Sequence, residues 1–392
     1  MAELRWDVRD ILGAPRLAME WQAIRTGMLG SLMAAVIAGI FTYGAVILDG
    51  SLPMFVASHP APFGLRATGP RLGAVGLFLF VLGIALGLFV VIITEAALAK
   101  LLYRRLKGDV TFDAGAAWDY GRAHGRAVVF LLALLAVLLL AAFAIGLAAS
   151  LVGRIPIVGD VWLGIVVLPG LVLALGTFAI LATAVVILTI GPAVVGATDD
   201  DWLDLLIRCG SILWSQPWRW LLYEAIILAV TALTALFVAG LFAASLTAVL
   251  TVAGTFAPGK VLGMVLIASR YVPGLPGLLL HLLSNATVLS FAIAPATYVA
   301  GLLMALGVLL VLAGAAGYCM SVWASGQLIA YALLHRAQSG HDILAREDDI
   351  DRRAAIAAEP VPQQPAAPVP RPPAASATTT SPASDTAPKE PA

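Results

Sequence analysis

The chain has 392 residues, 61% of them hydrophobic and 12% charged, with a mean hydropathy of +0.97. Soluble domains carry charge on roughly a quarter of their residues, so this composition excludes an ordinary soluble enzyme and implies an all-α polytopic membrane protein. Lys and Arg balance Asp and Glu at 23 each, which removes any bulk electrostatic reason to expect nucleic acid as a partner.

Residues 1–26 mix Glu3, Asp7, Asp10 and Glu20 with Arg5, Arg9, Arg16 and Arg25, a pattern unlike the short basic start of a secretory signal. The segment reads as a retained amphipathic stretch on the cytoplasmic face. A bilayer crossing needs about 20 apolar residues. Runs of that kind lie at 28–48, 72–98, 127–152, 161–195, 220–252 and 298–334, giving a six-span domain over 27–341. The longer runs leave room for tilting, for a kink at Pro169, or for extension past the headgroups.

Charge in the loops orients the spans, because cytoplasmic loops hold most Lys and Arg. With both termini inside, only Arg66, Arg71, Arg154, Lys260 and Arg270 fall outside. The arrangement suits a bacterial plasma (inner) membrane. The basic loop with Lys100, Arg104, Arg105 and Lys107 is a candidate contact for anionic lipid, although its topological role alone accounts for it.

Before span three, "TFDAGAAWDYGRAHGRAVVF" carries Thr111, Asp113 and an Asp119/Arg122 pair, the outline of a loose surface helix. The stretch "ATDDDWLDLLIRCGSILWSQPWRWLLY" (197–223) is a sharper version. Thr198 and three aspartates are placed to start a helix. Trp202, Leu205, Leu206, Cys209 and Leu213 then fall on one face, with Asp204 and Arg208 as an i,i+4 pair opposite. Such a helix lies in the interface plane. Ser215 or Gln216 caps the next helix, Pro217 takes its first position, and Trp218, Arg219, Trp220 and Tyr223 mark headgroup depth. The elbow is therefore Asp204, Arg208, Pro217, Trp218 and Arg219. The endings "AALAKLLYRRLKGD" and "IAYALLHRAQSGHD" echo one another, a hint of a repeated hairpin unit.

Region 273–295 is apolar but broken by Pro273, Pro276, Ser284, Asn285 and Pro295. It reads as re-entrant or interfacial rather than as a seventh crossing. Residues 342–358 read as a charged cytoplasmic helix. Residues 359–392 read as a disordered Pro/Ala-rich tail, whose PxxP spacing at Pro362, Pro365 and Pro368 offers a protein partner a docking segment.

The elbow and the stretch "YCMSVWASGQLIAYALLHRAQSGHD" resemble a family of uncharacterised bacterial polytopic membrane proteins, in which an acidic surface helix runs into a Pro-Trp-Arg membrane entry. The resemblance carries over to Asp204, Arg208, Ser215, Pro217, Trp218 and Arg219, then to Tyr331 and Arg336, with His341 interrupting the final Gly/Asp turn. It implies location and topology, and no activity.

Chemical signatures are few. "GTFAPGKV" has the spacing of a phosphate-binding loop without the Ser/Thr that holds Mg²⁺. The five histidines show no metal-ligand spacing, Cys209 and Cys319 stand apart, and no nucleophile motif occurs. No cofactor or metal is implied. Ionisable groups within spans are costly and mark candidate sites. Two qualify, Glu95 and Glu224, each five residues from a basic residue (Lys100 and Arg219). Snorkelling or pairing with those bases is the bland account, and a proton- or cation-linked site is the sharper one. The sequence favours a non-enzymatic membrane protein that organises or assists an envelope process. The alternative is a small-molecule or lipid transporter using 273–295 with Glu95 and Glu224.

Overall fold

The computed structural model describes residues 5–50, 72–269, 271–272 and 294–345. These form α1 (Ala14–Ala18), α2 (Trp21–Leu48), α3 (Ala74–Leu106), α4 (Ala114–Val152), α5 (Val158–Thr198), α6 (Trp202–Ser215), α7 (Pro217–Phe256), α8 (Pro258–Ala268) and α9 (Pro295–Ser339). No strand occurs among the described residues. Helices α2, α3, α4, α5, α7 and α9 are each long and apolar enough to cross a bilayer. The chain is a polytopic integral membrane protein.

At 28 to 45 residues and about 1.5 Å per residue, these helices exceed the roughly 30 Å of hydrocarbon. They extend the sequence-based spans chiefly at the end that carries the charged connections. Helix α5 runs unbroken through Pro169 and Pro192. The reading of 273–295 as re-entrant falls almost wholly outside the described residues, as do the helix expected over 342–358, of which a short 3-10 turn at Ile343–Ala345 is described, and the tail after Glu359.

Local chemistry explains the ends. Pro217, Pro258 and Pro295 each occupy the first turn of their helix, where a missing N–H leaves no bond unmade. The Asp113 carboxylate accepts the Ala116 N–H at 2.8 Å and starts α4. Helix α4 is continuous from there into the span, so the surface helix expected before span three is its first turns rather than a second elbow. The expected Asp119/Arg122 ion pair forms on its exposed face.

The three apolar helices that descend to the charged end close alike. Gly108 follows α3 at φ 88°, Asp199 caps α5 at φ 56°, and Gly340 caps α9 at φ 73°. Glycine takes this left-handed region freely and Asp tolerates it. Asp109 then accepts from the Thr111 N–H and Asp342 from the Leu344 N–H, so the echoed "GD" and "GHD" endings form matching turns.

Helices α3 and α9 stand at the centre, α2 packs between them, α4 and α5 lie on the α3 side, and α7 and α8 on the α9 side. Small residues set the closest approaches. A side-chain carbon on Gly27 of α2 would meet the Gly317 carbonyl oxygen of α9 at 2.5 Å, and one on Gly196 of α5 would meet Ala99 of α3 at 2.6 Å. Gly83 and Gly87 of α3, four residues apart, likewise face α2 through Phe41, Ala34 and Ala38, so the pair serves internal packing.

The N-terminal segment is docked rather than loose. Ile11 and Ala14 pack with Ile227, Ile329, Ala330 and Leu333. Ser325 donates to the Ala14 carbonyl at 3.0 Å, Tyr318 to that of Pro15 at 3.2 Å, and Arg336 lies over the Trp6 ring. Both ends of the described chain therefore meet at one end of the bundle.

Candidate functional site

The charged end is a layer of internal ion pairs. Lys100 is fully buried, and its ammonium lies 2.9 Å from Asp199 Oδ1, which also accepts from the Tyr120 hydroxyl at 2.6 Å. The Tyr120 ring flanks the same ammonium at 4.7 Å, a cation–π contact. Arg104 pairs with Asp109 at 2.9 Å, and Arg105 pairs with Glu20 while donating to the Asp109 carbonyl at 2.8 Å. The Thr111 hydroxyl, with Arg104 beside it, holds the Asp109 carboxyl below the usual carboxylate range.

This changes the reading of the basic loop. Lys100, Arg104 and Arg105 are spent on carboxylates inside the protein, and Lys107 lies against the Tyr103 ring. A neutralised, buried cation offers little to an anionic headgroup, because attraction requires an exposed uncompensated charge.

The elbow forms with different partners. Thr198 closes α5 instead of opening α6, its hydroxyl bonding back to the Val194 carbonyl at 2.7 Å. The three aspartates divide their tasks: Asp199 holds Lys100, Asp200 holds Arg208, and Asp201 is the N-cap residue of α6. Arg208 thus pairs with Asp200 and not with Asp204, which is exposed. Burial works against the guanidinium charge, but Tyr331, Asp200 and Asp204 together hold it above its ordinary range. Leu205, Cys209 and Ile212 form the inward face, and burial pushes the Cys209 thiol up to about 12, which leaves it inert. Gln216 and Pro217 begin α7 as expected, and Trp218 is 82% exposed. Trp220 departs from the expected belt: it is 8% exposed and points inward.

The partner of Trp220 is Glu224. Its indole donates to Glu224 Oε1 at 3.2 Å, and Gln327 of α9 donates from Nε2 to Glu224 Oε2 at 2.8 Å. The Thr189 hydroxyl of α5 lies within hydrogen-bonding reach of the same carboxylate as well as of the Val186 carbonyl at 3.2 Å. Two donors, the Trp220 indole of α7 and the Gln327 amide of α9, therefore hold one carboxylate within the bundle, with the Thr189 hydroxyl of α5 beside it. Glu95 of α3 lies close enough for its charge to act on Glu224. Ala99, one turn along the same helix face, packs on Gly196 of α5, which turns Glu95 toward α5.

Neither glutamate takes the base expected nearest to it. Lys100 belongs to Asp199, Arg219 is exposed, and among the described residues Glu95 has no hydrogen-bond or ion-pair partner. Gln327, 2% exposed, uses its amide N–H on Glu224 and leaves Oε1 without a hydrogen-bond partner. The amide orientation follows from chemistry, since a carboxylate accepts and only the NH₂ end donates to it. The cluster is therefore rich in acceptors and poor in cations. Gln327 was not among the sequence candidates. Its signal is an amide in an apolar run, at the same register before Gly340 as Glu95 before Gly108.

A second cleft, of about 320 Å³, lies between α6 and α9 and is lined by Arg208, Ser211, Tyr331 and His335 among others. Gln338 bridges it to Ser211. Its one cation is compensated by Asp200, so it has no net positive charge to recruit an anion. Among the described residues no group of three or more His, Cys, Asp or Glu is placed to hold a metal ion. No family model, curated protein or solved structure matches the chain.

Proposed function

We propose that the protein is a carrier of a bacterial inner membrane, with both termini cytoplasmic, whose working cycle is linked to occupancy of the Glu95/Glu224 pair by a proton or another cation. The observation that carries this reading is Glu95 itself, a carboxyl within a membrane-spanning helix that has no hydrogen-bond or ion-pair partner among the described residues and stands beside a second carboxylate. Ionisable groups at such positions are expensive and usually mark a pathway or relay. Two carboxylates at close quarters away from bulk water call for positive charge between them, and of the neighbouring bases Lys100 is held by Asp199 while Arg219 is exposed. An organising role carried by the Pro-rich tail rests on residues outside the described ones, and the geometry adds nothing in its favour.

The test is flux. Full-length protein reconstituted into liposomes with a trapped pH-reporting dye should dissipate an imposed pH gradient when sodium or an amine is supplied on the opposite side. Glu95→Gln and Glu224→Gln should slow this by about tenfold or more, the loss expected when a charged hydrogen-bonding group is neutralised. Leak that is identical in wild type, both variants and protein-free liposomes would end the carrier reading.

A further inference from the structure

Resting on that reading of the site, we infer that the Glu95/Glu224 cluster takes an amphipathic organic ammonium, a protonated amine on an alkyl body, that enters sideways from the hydrocarbon between α5 and α7. The polar half of the argument is a count of donors and acceptors. Glu224 already receives Trp220 and Gln327, with the Thr189 hydroxyl beside it. Among the described residues, what remains is the Glu95 carboxyl, an acceptor when ionised, and a buried amide oxygen on Gln327 that accepts no hydrogen bond. A proton alone would turn one carboxyl into a donor, whereas an ammonium answers all of these acceptors at once, with three donors and one charge. A divalent metal fits poorly, because Ca²⁺ takes six to eight oxygens and Mg²⁺ needs an octahedron, whereas two carboxylates and one amide oxygen converge here.

The apolar half comes from what surrounds the cluster. Helix α5 packs on α3 and α4, and helix α7 packs on α9 and α8. The two are tied to each other at the charged end, by α6 and by the Thr189 contact to Glu224. Farther along, Phe178, Leu181 and Val185 are exposed on the α5 face that carries Thr189, as is Leu228 of α7, one turn beyond Glu224. An alkyl chain lying along these side chains stays in hydrocarbon while its ammonium reaches the carboxylates. The exposed indoles of Trp214 and Trp218 near the elbow place the cluster close to headgroup depth, where amphipathic amines concentrate.

The experiment uses full-length protein in nanodiscs of neutral phosphatidylcholine, with binding read as displacement of radiolabelled octylamine and as a shift in thermal midpoint. Octylamine should bind saturably. Octanol, which has the same apolar body without charge, should compete about tenfold or more weakly. Glu95→Gln, nearly isosteric, should weaken octylamine by a similar factor while eluting as wild type does. The octanol comparison is made on wild type and so survives a variant that fails to fold. Equal binding of octanol and octylamine, or octylamine binding untouched by Glu95→Gln, overturns the inference. So does saturable sodium binding with octylamine inert, which would assign the site to an inorganic cation. Octylamine binding without any flux would keep the ligand class and remove the carrier reading, and proton or sodium flux without octylamine binding would do the reverse.

Discussion

The two ends of the same helices are built by different rules. From Val90 to Arg104 on α3, Val186 to Thr198 on α5 and Gly317 to Leu334 on α9, most residues are buried. Away from that end, α4, α5 and α7 present Leu, Val and Phe outward along most of their length. The difference follows from the solvent. Lipid tails are as apolar as Leu, so helices gain little by hiding Leu from them, and association depends on close packing and polar contacts. Tight packing is therefore concentrated where Lys100, Asp199, Tyr120, Glu224 and Gln327 need partners that lipid cannot supply.

The sharpest way to break this contrast is at Lys100. Lys100→Met removes the cation and leaves the buried Asp199 without that counter-charge, which should cost about 3–5 kcal/mol. In detergent the thermal midpoint should fall steeply, and adding Asp199→Asn should recover much of the loss. If the double variant is no more stable than the single one, the pair is not the keystone of the layer. A second comparison places one substitution in both regions. Gly317→Leu forces a side chain into the α2 backbone and should cost about 1–3 kcal/mol. Gly240→Leu, where an added carbon meets nothing within 4 Å, should stay within about 0.5 kcal/mol. Similar midpoints for the two would mean that the packed end is no more tightly assembled than the rest.

What was legible beforehand follows the same division. Six crossings could be read because an apolar run long enough to span a bilayer is a local property of the chain, and so is Pro217 at the start of α7. Partnerships could not, because they are decided in three dimensions. Spacing suggested Asp204 for Arg208, yet Asp200, only 7% exposed, holds it: water competes for an exposed carboxylate and not for a buried one. Lys100 read as a headgroup contact because its acid lies 99 residues away. Glu95 and Glu224 stood out as charges in apolar runs, but their meeting, and the part of Gln327 in it, required the fold.

The smallest expected effect concerns pH. The Asp109 carboxyl is held low by Thr111 and Arg104, so its contribution is present above the unfolded value of about 3.9 and is lost as pH falls through its folded value. Asp109→Asn should remove that part of the acid sensitivity, about 0.5–1.5 kcal/mol. Melting curves from neutral pH to about pH 3 should converge for wild type and variant at the acid end and separate above pH 4. Parallel curves over the whole range would show that Asp109 contributes no proton linkage.

The docking of Ala14 against Ser325 joins residues 311 positions apart in the chain. At roughly 5–20 residues per second, synthesis of the intervening chain takes on the order of 15–60 s. During that interval α2 and α3 can pair, but the glycine face of α2 that receives Gly317 and the seat for Ile11 stay empty. The bundle is thus closed by the last of the six described crossings, and a ribosome stalled before α9 would leave an inserted but unsealed intermediate with Glu224 lacking its Gln327 donor. Quality-control proteases of the membrane would meet that species first.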